Sequence, residues 1–211
     1  VTPITALILT YNEEANIART LSRLDFAAEI VVLDSCSTDA TAAIAARHPR
    51  TRVVANPFTT LAEQWNFGLE KTGIKTEWVL ALDADYVLTD ELVDELRNFQ
   101  PAAGDDGFRA TFVYCVHGRP LRAGVYPPVV VLFKKSLTRV EQDGHCQRAR
   151  VAGAIKELAG RIQHDDRKSL SRWLNSQAGY MRLEAIKLET TPVERLATID
   201  KLRKLIVVAP P

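Results

Sequence analysis

The first hundred residues alternate between short apolar runs rich in Val, Ile and Leu and longer stretches whose apolar residues recur at helical spacing. The runs at residues 4–9, 29–33, 52–55 and 78–82 predict strands, and the stretches between them predict helices. That rhythm predicts a parallel sheet covered by helices, an α/β fold. Asn12 is placed to cap a helix whose first turn carries Glu13 and Glu14, where negative charge meets the positive end of the helix dipole. Ile17, Leu21 and Leu24 give that helix one apolar face. Ser37 or Thr38 is expected to cap the run through Ala46, and Thr89 the run at 90–99.

After Pro101 the texture changes. Residues 102–107 read as a turn-rich acidic loop, 108–116 as a strand, and Gly118-Arg119-Pro120 as a turn. A second strand-like run, 129–133, begins only after Pro127 and Pro128, because neither proline can donate to a sheet ladder. From Leu170 the pattern is helical again, with Leu170, Trp173, Leu174, Met181, Leu183, Ile186 and Leu188 as apolar positions, and Pro192 marks a second helix through Lys204.

With 211 residues and 46% hydrophobic content, the chain can bury a core of its own. Twenty-seven basic residues against twenty-six acidic leave a net charge of +1, so there is no global field to attract nucleic acid. Cys36, Cys115 and Cys146 are an odd number at wide spacings, fitting neither a disulfide framework nor a zinc knuckle, which points to a reducing cytoplasm. No apolar run reaches the roughly 18 residues of a spanning helix, and the first strand starts too early for a signal peptide; the expectation is a soluble or peripheral chain.

The strongest chemical signal is the apolar run from Trp78 that ends in Asp83-Ala84-Asp85. In open parallel sheets the ligand crevice lies outside the carboxyl ends of the strands, which is where this pair falls. Paired carboxylates suit a hard divalent cation, Mg²⁺ or Mn²⁺, able to bridge the phosphates of a nucleotide diphosphate. For a single Asp the plain alternative is a turn or a helix cap. Two more polar clusters follow predicted strands. In Thr10-Tyr11-Asn12-Glu13-Glu14, Tyr11 can stack on a base and Thr10 can donate to a ribose or base oxygen. Asp34-Ser35-Cys36-Ser37-Thr38-Asp39 can recognise a nucleoside or simply start a helix. All three fall on one rim of the inferred sheet.

The ordered set Ala6 to Glu14, Val31 to Asp39 and Leu82 to Asp85 resembles the motifs of the family 2 glycosyltransferases with the GT-A fold, a Rossmann-like, mostly parallel sheet flanked by helices. Gly124-Val125-Tyr126-Pro127, then Leu132-Phe133-Lys134-Lys135 and Gly144-His145, is similar to the branch that includes lipopolysaccharide-core glucosyltransferases. The resemblance implies a catalytic domain over residues 1–166, with a nucleotide-binding half at 1–100 and an acceptor half at 101–166, followed by a helical C-terminal extension at 167–211. It implies that Thr10, Tyr11, Asp34 and Ser35 line the nucleoside pocket, with Glu13 and Gln64 in the same nucleotide-binding set. Asp83 and Asp85 are implied to hold the diphosphate through a divalent metal, Mn²⁺ or Mg²⁺. Many members carry a second Asp at Ser35, so the base of the donor is left open. Asn66, near Gln64, stands where members place donor contacts or on an exposed helix face.

Membership also implies an inverting displacement in which a base deprotonates the acceptor hydroxyl. The candidates for that base are Asp143, His145, Asp165 and Asp166, with Asp143 placed first and His145 either a base or an additional metal ligand; in the lipopolysaccharide-core branch a Glu follows the matching His, where this chain has Cys146. His164-Asp165-Asp166-Arg167-Lys168 either caps the next helix or holds the donor phosphates, with capping favoured for the two Asp residues. The donor is thus expected to be a nucleotide-diphosphate sugar and the acceptor a saccharide, lipid-linked or of the lipopolysaccharide core. The basic C-terminal stretch, ending on Leu205-Ile206-Val207-Val208, suggests peripheral contact with the cytoplasmic face of the inner membrane. Two rivals remain. One is a haloacid-dehalogenase-type phosphatase with Asp83 as nucleophile and Asp85 as acid/base, which normally carries its motif on the first strand. The other is a nucleotide-sugar-binding module without turnover.

Overall fold

A computed structural model describes residues 1–122 and 126–204; Gly124, Val125 and the apolar run at 205–211 lie outside the described residues. The chain runs β1 (Ile4–Thr10), α1 (Ile17–Leu21), β2 (Glu29–Asp34), α2 (Thr41–Ala46), β3 (Thr51–Ala55), α3 (Leu61–Lys71), β4 (Trp78–Asp83), β5 (Tyr86–Leu88) and α4 (Asp90–Arg97). It continues through β6 (Asp105–Val116), β7 (Arg119–Pro120), β8 (Val129–Lys134), β9 (Thr138–Asp143), β10 (Cys146–Val151) and β11 (Ala154–His164) to α5 (Leu170–Thr190) and α6 (Thr198–Lys204). Two compact units emerge. One holds residues 1–141 with 148–168, and the other holds residues 142–147 with the chain from Ser169 onward.

The first unit is built on a sheet ordered β3-β2-β1-β4-β8-β6-β11-β5, with β7 alongside β6. The β3-β2-β1-β4 block is parallel, β8 is antiparallel to both its neighbours, β6 and β11 run parallel, and β5 closes the edge antiparallel to β11. The β1 and β2 runs are mostly apolar on both faces, as expected for strands covered on both sides of the sheet. Ala6, Ile8, Ile30, Val32, Leu80 and Leu82 pack with Ile17, Leu21 and Leu24 on one side. Leu7, Leu9, Val31, Leu33 and Val79 pack with Trp65 and Leu69 of α3 on the other. Each such fully buried side chain is worth about 1.5–3 kcal/mol, which makes these strands a stiff platform for whatever sits at their ends. The α3 helix lies so close to β1 that a Cβ on Gly68 would stand 2.8 Å from Leu7 Cδ2.

The four predicted strands are present, each within a residue or two of its expected ends. The capping of the first helices is not as expected. Asn12 does not start a helix: its φ is 54° and its Oδ1 accepts from the Thr38 N–H at 2.8 Å, while α1 begins only after Asn16. Neither Ser37 nor Thr38 caps α2, which starts at Thr41 after Ala40 without a side-chain cap; the Ser37 hydroxyl instead donates to Asp34 Oδ1. Thr89 does cap α4, accepting from the Leu92 N–H. The acidic segment at 102–107 is not all loop, since β6 begins at Asp105: Asp105 pairs with Lys156 at 2.7 Å and Asp106 with Lys134 at 2.8 Å. Both charges are thus paired with lysines from the neighbouring strands β11 and β8.

In the second unit, α5 is a 21-residue helix capped by Ser169, and no residue of it is fully buried. The helix expected after Pro192 is split into a 3₁₀ turn at Val193–Arg195 and α6. Lys187 bonds both Asp143, at 2.7 Å, and Asp200, at 2.8 Å. No helix among the described residues is long and apolar enough to cross a membrane.

Candidate active site

The pairing register sets the site. Thr10 of β1 lies opposite Asp34 of β2, and Leu9 lies opposite Asp83 of β4, so the three polar clusters leave the sheet side by side at its carboxyl rim. Two non-glycine residues just beyond the strands, Asn12 and Cys36, adopt positive φ and turn the chain sharply. The two rim loops are then tied to each other. The Asn12 N–H donates to Ser37 Oγ at 2.8 Å, Glu13 N–H to Thr41 Oγ1 at 2.7 Å, and Ala40 N–H to Glu14 Oε2 at 3.1 Å. Asn12, Glu14 and Ser37 therefore shape the rim, and their polar atoms are turned toward the loops.

Asp34 is buried and accepts from Thr10 Oγ1 at 2.9 Å and from the Ser37 N–H at 2.9 Å. Buried Gln64 of α3 donates through Nε2 to Ser35 Oγ at 3.0 Å and to the Asn56 carbonyl at 3.0 Å, while its own oxygen accepts from Asn56 Nδ2 at 2.7 Å. Thr10, Asp34, Ser35 and Gln64 thus form one polar wall, and Tyr11, 54% exposed, stands at its edge. Asn66 turns elsewhere. Its side chain both donates to the Val140 carbonyl and accepts from the Val140 N–H, fastening β9 to α3.

Asp83 and Asp85 sit on either side of Ala84, with Asp85 buried. His164, the last residue of β11, reaches Asp85 Oδ2 through Nε2 at 3.1 Å. Its ring is flanked by Tyr114 and Tyr86, with centroids at 4.6 and 5.2 Å, and its Nδ1 is buried with no hydrogen-bond partner among the described residues. Lys168 pairs with Glu13 and, at 3.5 Å, with Asp166. Asn16 Nδ2 donates to both Glu13 Oε2 and Asp166 Oδ1, holding the 164–168 segment against the rim. Asp165 accepts from Arg19, Arg167 and the Gly118 N–H, so neither Asp165 nor Asp166 caps α5; Ser169 does.

Three carboxylates, Glu13, Asp83 and Asp85, are gathered here with Lys168 and His164. Burial, then the charge of Asp85, pushes Asp83 up to about 6. Burial also raises Glu13, against the pull of Lys168. Asp85 goes the other way: burial pushes it up, but the hydrogen bond and charge of His164, with Lys168 behind them, outweigh it and hold it below the usual range. His164 is correspondingly raised; burial opposes this and Asp85 prevails.

The donor set suits a hard or borderline divalent cation. The carboxylates of Asp83 and Asp85 supply oxygen ligands of the kind such a cation takes. No cluster of three or more His, Cys, Asp or Glu side chains among the described residues is arranged to hold a metal. Asp143 and His145 belong to the second unit. Asp143 pairs with Lys187, while His145 Nδ1 lies 2.7 Å from Glu184 Oε1 and its ring packs on Tyr180. Neither His164 nor Glu184 stands out individually in the sequence, although the alternation Leu158, Gly160, Ile162, His164 marks a strand delivering a histidine to the rim.

The sequence model of glycosyl transferase family 2 matches residues 5–147. The chain belongs to that family. An uncharacterised glycosyltransferase of Rickettsia bellii is 33% identical over 128 residues, covering 59% of this chain and 42% of that protein. The lipopolysaccharide core biosynthesis glycosyltransferase LpsC of Rhizobium meliloti is 35% identical over 108 residues, 49% of this chain and 39% of that one. The chain spans about two fifths of the length of these relatives. Among solved structures, S. aureus TarS superposes with a TM-score of 0.56 at 17% identity, covering 97% of this chain and 69% of that one. Glucosyl-3-phosphoglycerate synthase from Mycobacterium tuberculosis, solved with Mn²⁺, UDP and glucosyl-3-phosphoglycerate, gives 0.55 at 20% identity over 86% and 76% of the two chains. The fold of this family 2 member is GT-A. The phosphatase reading, which wants its nucleophile on the first strand, falls away: Asp83 ends the fourth.

Proposed function

We propose that this chain carries the donor site of an inverting glycosyltransferase that moves a sugar from a nucleoside diphosphate to an acceptor hydroxyl. The observation that carries the reading is the pairing of Asp85 with His164 beside Asp83, on the same rim as the Thr10–Asp34 and Ser35–Gln64 wall. Thr10, Asp34, Ser35 and Gln64 hold the nucleoside, and Tyr11 stacks on its base. Asp83 and Asp85 would hold a divalent cation, Mn²⁺ or Mg²⁺, with His164 fixing Asp85 through its hydrogen bond; the charge of the bound cation offsets that of the diphosphate as the sugar leaves. Lys168 pairs with Glu13 at this rim and supplies positive charge beside the diphosphate. Support for the metal and for a nucleoside diphosphate comes from the Mycobacterium tuberculosis synthase solved with Mn²⁺ and UDP.

Asp143 or His145 is proposed as the base that takes the acceptor proton. The acceptor is proposed to be a lipid-linked saccharide of the lipopolysaccharide core, a reading supported by the likeness to LpsC. Leu170, Trp173, Leu174 and Met181, all exposed on α5, support a peripheral contact with a membrane at its cytoplasmic face. The reading is tested by thermal shift and isothermal titration with UDP, GDP and other nucleoside diphosphates, with and without Mn²⁺. Metal-dependent stabilisation by at least one nucleotide is expected, together with slow hydrolysis of the matching nucleotide sugar. Absence of metal-dependent binding across the panel would overturn it.

A further inference from the structure

The turn between β9 and β10 holds a second group of reactive side chains, wholly within the second unit. The sulfur of Cys146 lies 3.2 Å from His145 Nε2, and on the far side of the ring Nδ1 lies 2.7 Å from Glu184 Oε1. The same carboxylate oxygen accepts from the His145 backbone N–H at 2.9 Å, and the ring packs at 4.9 Å on Tyr180. Gly144 makes this possible. Its φ is 61°, and a Cβ there would fall 2.0 Å from Glu184 Oε1, so only glycine lets the carboxylate reach the histidine.

The order sulfur, imidazole, carboxylate assigns roles. A carboxylate at Nδ1 holds the proton on that nitrogen, so Nε2 presents its lone pair to the thiol. A base in that position takes the thiol proton, and Glu184 orients the ring that carries it. Exposure does the rest: Cys146 lies at the surface, and none of the three cysteines is in a disulfide.

We infer that Cys146 is an activated thiol, with His145 as its base and Glu184 as the residue that positions His145, and that it undergoes exchange with low-molecular-weight disulfides. The Cys146 sulfur, its proton passed to His145, attacks one sulfur of the disulfide. The old S–S bond breaks as the new one forms, and the departing thiolate is protonated, leaving a mixed disulfide on the protein and one free thiol. A group attached at Cys146 stands against Nε2, the nitrogen through which His145 would act on an acceptor. If His145 is the transfer base, thiol state and transfer are linked; the labelling test below stands without that link.

The chain carries its own controls. Cys36 is exposed, with no hydrogen bond to its sulfur among the described residues, and Cys115 is buried, its thiol pushed up by burial. The full chain is incubated with glutathione disulfide at neutral pH, quenched by acid, and each cysteine is quantified by peptide mass spectrometry over time. Cys146 is expected to react about tenfold faster than Cys36, with Cys115 slowest. His145→Asn and Glu184→Gln are each expected to bring Cys146 down toward the rate of Cys36. A Cys146 no faster than Cys36 in the unaltered chain would overturn the inference, and so would an advantage that survives His145→Asn. The comparison within the unaltered chain holds even if a variant fails to fold.

Discussion

Asp83→Asn should stabilise the metal-free protein while abolishing its metal-dependent nucleotide binding. The rise of Asp83 from 3.8 to about 6 corresponds to about 3 kcal/mol of preference for the protonated carboxyl in the folded state, with burial the larger cause and Asp85 the next. A carboxyl whose folded value is raised favours folding fully below its unfolded value; that benefit is lost as the pH climbs from about 4 through about 6. At pH 7.5 the ionised Asp83 is therefore a cost, and asparagine removes it with little change of shape. Because the side chain keeps some exposure, about 1–2 kcal/mol is the realistic gain. For a chain of this length that is a rise in Tm of about 3–6 °C. Thermal melts with EDTA at pH 7.5 and pH 5.0 measure it: the gain is expected at pH 7.5 and should shrink at pH 5.0, where Asp83 is largely protonated. A variant no more stable than the parent at pH 7.5, or equally stabilised at both values, refutes the account of the acid pair. The same melts with Mn²⁺ and UDP should show the parent stabilised and the variant not.

Replacing His164 by alanine should weaken Mn²⁺-dependent nucleotide binding about ten- to a hundredfold in isothermal titration, while circular dichroism stays unchanged. Gly160→Ala should destabilise by about 1–3 kcal/mol or more in a denaturant melt, because its Cβ would lie 2.3 Å from the backbone Cα of Leu92, which cannot swing aside as a side chain would. Asn66→Ala removes both hydrogen bonds to Val140 and should cost about 2 kcal/mol of stability with nucleotide affinity unchanged; loss of affinity at equal stability would instead make Asn66 a donor contact.

The half of the site formed by β1, β2 and β4 was legible because its chemistry follows directly on strands that announce themselves: Thr10, Asp34 and Asp83 are each the last residue of a buried apolar run. Local chemistry misled where a side chain had a distant partner. Asn12 has the composition of a helix cap, yet the Thr38 N–H 26 residues away wins its oxygen and the helix starts four residues later. Asp105 and Asp106 read as loop because nothing nearby neutralises them, and the lysines that do so arrive on β11 and β8.

The other half of the site depends on a pairing that no local pattern specifies. His164 meets Asp85 across 79 residues, and it does so only because β11 lies between β6 and β5 with Ile162 opposite both Phe112 and Leu88. Strand periodicity makes that register decisive. A slip of one residue would turn His164 away and present Gln163 or Asp165 in its place, with Ile162 lifted out of the core. The irregularity between Glu157 and Arg161, where Gly160 lets α4 approach, falls just before this stretch and resets its register against β6. Gly160 therefore bears on the site as well as on the core, although it touches no donor atom. If its replacement shifts β11 rather than merely straining it, nucleotide affinity should fall together with stability, as it should not for Asn66.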